Sequence, residues 1–250
     1  MNPPIVDLKR EFFDSYDAAA KDEIWKKQSE VFRSFWSSRI MDAASPPLAE
    51  EECDRVIRIL DRNGKGNTRD SEAVAGGAMI PQGAWRRMLA SFREEKRFAL
   101  LVDHILQSRD TNEKAGSIDE LYETNQGQIP RLTGQAGITI NTFLAAHDPF
   151  LNLSITSIKD RWMLISFFEF PVPFDWEKAS IGTKIVQSNT ILSDSLHAAG
   201  IQGSARTLSV FCYFEPLRAL WKGEHTVKRA DKKVSVTIPT TVEDKGSEID

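Results

Sequence analysis

The residues best suited to chemistry in this chain are consecutive: Ile129-Pro130-Arg131-Leu132-Thr133-Gly134-Gln135-Ala136-Gly137-Ile138-Thr139. They set two glycines directly before an apolar run containing Ile140, Phe143, Leu144 and Ala145. Glycine lets a backbone approach a ligand closely. The first turn of the following helix offers unpaired N–H groups carrying a partial positive charge. A phosphate is the group such a terminus receives well. Thr139 and Asn141 add side-chain donors and Arg131 adds a charge, so Arg131, Gly134, Gln135, Gly137 and Thr139 are candidate phosphate-binding residues. The competing reading is a tight interhelical turn that binds nothing.

A second candidate is a basic cluster, Lys222, His225, Lys228, Arg229, Lys232 and Lys233, against Glu224 and Asp231. It could meet a phosphate backbone or keep a linker soluble. Lys159 and Arg161, beside Trp162, form a weaker pair at the start of an expected helix. Asp231-Lys232-Lys233 and Glu243-Asp244-Lys245 supply the residue types of a metal nuclease, but charge runs are mostly solvated. Asn63-Gly64-Lys65-Gly66 is turn chemistry and not a phosphate loop, and no His-Glu-x-x-His or Gly-x-Ser-x-Gly occurs. His104, His147, His197 and His225 are dispersed, and His147 suits the end of a helix, where the dipole favours a cation. No catalytic residue, metal ligand or cofactor is expected from these patterns.

The stretch Leu132-Thr133-Gly134-Gln135-Ala136-Gly137-Ile138-Thr139, an apolar helix, and then His147-Asp148-Pro149-Phe150 resembles the helix-hairpin-helix of DNA glycosylase-type proteins. The resemblance spans residues 129–150 and implies that hairpin amides grip DNA phosphates. This chain has Gly-x-x-Gly where that family usually has Gly-x-Gly. The family's catalytic aspartate would fall near Ser157, with Asp160 close by, and its lyase lysine near Thr139. Two distant cysteines leave no iron–sulfur loop. The resemblance therefore implies binding without base excision. The order of aromatic N-terminal helices, polar loop, long helix, Leu-Thr-Gly segment and closing aromatic helix is also similar to helical modules of prokaryotic restriction-type proteins. That likeness implies a role in recognition or assembly beside a nuclease or motor subunit.

Such residues must be held by a scaffold, and the composition says which kind. The 250 residues are 41% hydrophobic and 27% charged, as in an ordinary globular chain. Nothing approaches the roughly 18 uninterrupted apolar residues of a membrane span, so no membrane partner is expected. Met1-Asn2-Pro3-Pro4 with Asp7 and Lys9 lacks a signal-peptide layout, and Cys53 and Cys212 are expected reduced and buried, in keeping with a cytoplasmic protein. The net charge of −4 gives no general attraction to DNA. Residues 1–125 hold 19 basic and 23 acidic groups and residues 126–250 hold 13 of each, so the acidity lies in the N-terminal half.

Three- and four-residue apolar spacing predicts helices through the first forty residues, with Asp7 and Asp22 as caps or first-turn acids. It predicts further helices from Glu50, from Ala84 to Ser108 without interruption, and from a capping-box-like Ser117 to Glu120 after a polar break at 110–116. Later helices are expected at Ile138–His147, at Ile158–Phe168 capped by Thr156 or Ser157, at Thr183–Ala199 and at Leu208–Trp221 with a kink or restart at Pro216. Only Val234–Pro239 alternates like a strand. The expected fold is an all-α multi-helix bundle with two lobes, 1–110 and 117–221, and a basic then acidic tail or linker at 222–250. The expected function is a non-enzymatic DNA-binding module of a restriction or defence system. The alternatives are a protein-interaction or oligomerisation module and, third, a metal-dependent nuclease.

Overall fold

The computed structural model describes residues 3–68, 71–76 and 80–231, with backbone alone for residues 3, 4 and 224–231. Eleven α-helices are found there and no strand; one isolated bridge pairs Asp61 with Ala75. The all-α expectation is met. The helices are α1 (Pro3–Ser15), α2 (Ala18–Phe35), α3 (Glu50–Leu60), α4 (Gln82–Glu94), α5 (Lys96–Gln107), α6 (Thr111–Asn125), α7 (Ile138–His147), α8 (Ile158–Phe167), α9 (Ile181–Ala198), α10 (Ala205–Cys212) and α11 (Glu215–Asp231), and a π-helical turn, Trp36–Met41, continues α2. The alternating Val234–Pro239 segment lies outside the described residues.

Helix α7 sets the centre. Every residue from Thr139 to His147 is buried, the pattern of a helix surrounded on all sides. Phe143 is its hub: its ring centroid lies 5.8–6.0 Å from those of Phe32, Trp36, Trp85 and Phe92. One hydrophobic cluster thus joins α2 to α7 and the start of α9, and Ile118 and Leu121 of α6 belong to it together with residues preceding position 110. A second joins α1 to α8, α9, α10 and α11, with Phe12, Leu164, Leu192, Leu208 and Phe211 inside. Burying one such side chain contributes about 1.5–3 kcal/mol.

Several boundaries differ from the sequence reading. The run 84–108 is two helices, because Glu95 leaves helical geometry (φ −110°, ψ 73°) and its N–H still bonds Ser91. Helix α6 begins at Thr111, not at Ser117: the Asp110 carboxylate caps it by accepting from the Asn112 and Glu113 amides at 2.9 and 2.8 Å. The cap of α2 is Asp17, whereas Asp22 lies inside that helix and accepts a hydrogen bond from Ser204. Asp7 lies inside α1 and pairs with Arg10. Pro216 marks a restart, since it is the second residue of α11. Both cysteines are buried and unbridged.

Candidate functional site

The glycine turn is tightly folded upon itself. Buried Asn125 donates to the Ile129 carbonyl and to Thr133 Oγ1 and accepts from the Ile129 amide. Tyr122 donates its hydroxyl to the Gly134 carbonyl at 2.8 Å. Gly137 has φ +66°, and a Cβ there would lie 2.8 Å from Ile158 Cδ1, so the turn presses directly onto α8. The Ile158 amide, in turn, donates to the Ala136 carbonyl. Thr139 is buried, and its hydroxyl donates to the Arg131 carbonyl at 2.7 Å, which commits it to the turn and away from the surface. Arg131, Gly134 and Gln135 are exposed at the tip.

A cleft of about 530 Å³ opens beside this turn. Its walls come from four places. The first is the loop after α3: Asp61 is fully buried, accepts from Trp85 Nε1 at 3.0 Å and from the Asn63 amide, and anchors the chain next to Arg62. Burial pushes the Asp61 carboxyl up, against the hydrogen bonds that favour its charge. Backbone bonds from Val74 to Ile59 and from Ala75 to Leu60 lay residues 73–76 along the end of α3. The second wall is the entry to α8, with Ser154, Thr156, Ser157 and Asp160; Ser157 caps the helix. The third is α10, where Arg206, Ser209 and Val210 face the cleft, and the fourth is the α11 side, with Tyr213, Phe214, Arg218 and Lys222. Ile138, the first residue of α7, closes one side.

Arg206 is the most confined cation of this site. Its guanidinium lies 4.3 Å over the Trp25 ring, donates from Nη1 to Ser154 Oγ at 2.9 Å and to the Ala73 carbonyl at 3.3 Å, and stands 3.8 Å from Glu72. Its side chain is 11% exposed, and Nε is buried without a partner. Burial lowers the pKa of the guanidinium, while Glu72 and Tyr16 oppose that shift. Across the cleft, Tyr213 donates its hydroxyl to Asp160 Oδ2 at 2.8 Å, and Lys222 Nζ lies 3.1 Å from the same oxygen. Burial, and then the Asp160 charge, push the Tyr213 hydroxyl well up. Arg218 pairs with Glu215 at 3.1 Å on the exposed side.

Four cationic side chains therefore line the cleft with five hydroxyl groups between them, and Arg206, Arg218 and Lys222 each stand beside one carboxylate, Glu72, Glu215 and Asp160. Two of the hydroxyl groups are already committed as donors, Ser209 to the Ala205 carbonyl and Tyr213 to Asp160. Among the described residues, no group of three or more His, Cys, Asp or Glu side chains is placed to hold a metal ion.

Of the residues singled out from sequence, the structure brings Ile138, Thr156, Ser157, Asp160 and Lys222 to the cleft. Arg131, Gly134 and Gln135 stay at the tip of the turn, and Lys159 is exposed beside the cleft without lining it. Arg161, its partner in the sequence reading, is 1% exposed, bonded to carbonyl groups and does not line the cleft. Lys228 and Arg229 lie on the backbone of α11, and Lys232 and Lys233 fall outside the described residues, as do Glu243 and Asp244. The sequence reading missed Arg62, Arg206 and Arg218. A signal existed for two of them: Arg206, Ser209, Val210 and Tyr213 follow i, i+3, i+4, i+7 spacing, and Arg218 and Lys222 are four apart. No helix among the described residues is long and apolar enough to cross a membrane. No protein-family model, curated protein or solved structure matches the chain.

Proposed function

We propose that the chain is a DNA-binding module without catalytic chemistry of its own, and that the cleft between α8, α10 and α11 receives backbone phosphate. The observation that carries this reading is the lining itself: Arg62, Arg206, Arg218 and Lys222 gathered round one cleft with the hydroxyl groups of Ser154, Thr156 and Ser157 beside them. The chain as a whole is acidic, so its attraction for a polyanion has to be local, and this is where cations converge. The exposed tip of the glycine turn, Arg131 to Gln135, belongs to the segment that carries the helix-hairpin-helix resemblance and reaches the cleft through Ile138. The basic residues of α11, Lys228 and Arg229, continue from the cleft along the same helix backbone.

The test is an electrophoretic mobility shift with the full chain and duplex and single-stranded oligonucleotides at low and high salt. The proposal expects a shifted band that weakens as salt rises. No shift even at low salt would overturn it. A stable oligomer by light scattering, with no DNA affinity, would instead favour a protein-interaction module.

A further inference from the structure

A second, smaller pocket of about 130 Å³ shares no lining residue with the cleft. It lies between α6, α7, α8 and α9 and has room for more than a single water. Arg161 forms part of its wall and carries a charge that the protein does not neutralise. Nε donates to the Ile155 carbonyl at 2.7 Å, Nη1 to the Ile185 carbonyl at 2.8 Å and to Ser188 Oγ at 3.4 Å, and Nη2 to the Leu153 carbonyl at 3.1 Å. Every acceptor is neutral, no carboxylate among the described residues pairs with the guanidinium, and one Nη2 hydrogen is left over. A buried cation in that state is costly unless an anion joins it.

Two further lining residues point to the same kind of occupant. Lys114 of α6 is half-buried and has no ion pair among the described residues, and its ammonium is pushed toward the neutral form by burial and by Arg109, against the opposing charge of Asp148. Asn141 of α7 is fully buried; its Nδ2 donates to the Thr156 carbonyl at 2.8 Å, while its Oδ1 has no partner. That oxygen accepts only, so it calls for a donor. Leu144, Leu151, Ile185 and Val186 supply apolar wall.

We propose that this pocket binds a small organic carboxylate bearing an adjacent hydroxyl or amino group, a hydroxy acid or an amino acid. The carboxylate meets the spare hydrogen of Arg161 and the ammonium of Lys114, and the neighbouring hydroxyl or ammonium donates to Asn141 Oδ1. The aliphatic wall favours such a ligand over a bare inorganic anion. The site stands independently of the DNA reading, since no residue is common to both.

The experiment is calorimetric titration of the full chain at low salt with glycine, glycolate and L-serine, and with acetate as the same anion lacking the donor. Side-chain amide resonances of three residues that line the pocket, Asn141, Asn152 and Asn189, are followed by NMR in parallel. The expected result is binding of at least one of the three probes with shifts at those amides, and acetate weaker than that probe by at least about fivefold, the worth of one net hydrogen bond. Lys114→Met, which removes no ion pair and keeps the stem of the side chain, should fold as the wild type and weaken the same probe at least about tenfold. The proposal is overturned by no binding of any of the three at millimolar concentration, by acetate binding equally well, or by unchanged affinity in folded Lys114→Met.

Discussion

Lys222 Nζ lies 3.1 Å from Asp160 Oδ2, and this contact pins α11 to the first turn of α8 across the cleft. Asp160 is also the one carboxylate of the lining, so it opposes the anion the cleft is proposed to hold. Asp160→Asn keeps the shape and removes the charge. The expected result is DNA affinity raised severalfold at low salt, about 0.5–1 kcal/mol for one partly exposed charge, in a salt-dependent binding assay.

Gly137 and Gly134 separate the two jobs of the glycine turn. Gly137→Ala should cost about 1–2 kcal/mol for the left-handed backbone alone, with the Ile158 clash in addition. Gly134, which has open space where a Cβ would go and no positive φ, should accept alanine within about 0.5 kcal/mol. Urea unfolding of the two variants checks the contrast.

Arg161 ties the segment before α8 to α9 through three carbonyls, of which Ile185 also accepts from Ser188, so Arg161→Met should destabilise by about 1–3 kcal/mol for each of the Leu153 and Ile155 carbonyls it strands. Arg161→Lys should recover little, since one ammonium cannot reproduce a planar fork. Denaturant midpoints report both.

All three tyrosines should resist ionisation in the folded state. Burial raises Tyr16, burial and Asp119 raise Tyr122, and burial and Asp160 raise Tyr213. A hydroxyl whose folded pKa lies above its unfolded value of 10.0 stabilises the fold fully below pH 10, and that stability is lost as pH rises beyond it. Ultraviolet titration should therefore show no tyrosinate near pH 10, with absorbance appearing together with alkaline unfolding.

Much of the fold was legible wherever a local signal acts. Asp148-Pro149 ends α7, Ser157 caps α8, and Glu50-Glu51-Glu52 opens α3 as the spacing predicts. The break at Glu95 escaped because apolar periodicity runs across it from Phe92 to Phe98 without glycine or proline. The start of α6 was present as Asp110 and Glu113, but the polar composition of 110–116 read as a loop. The cleft was legible only as fragments. Arg206 meets Ala73, Ser154 and Trp25, separated from it by 133, 52 and 181 positions, and no spacing rule joins partners that only tertiary folding assembles. A helix start normally faces solvent, whereas α7 begins inside the core and Thr139 is buried there.

The salt dependence of DNA affinity, compared between wild type and Arg218→Gln, tests the central claim most directly. Arg218 is about half exposed and, among the described residues, pairs with Glu215 alone, so its loss should leave the fold intact. If the cleft receives phosphate, wild-type affinity falls steeply with salt, and Arg218→Gln binds more weakly across sequences with a salt slope shallower by about 1. Affinity and slope identical in the two proteins, or no DNA binding by the wild type at low salt, would contradict it.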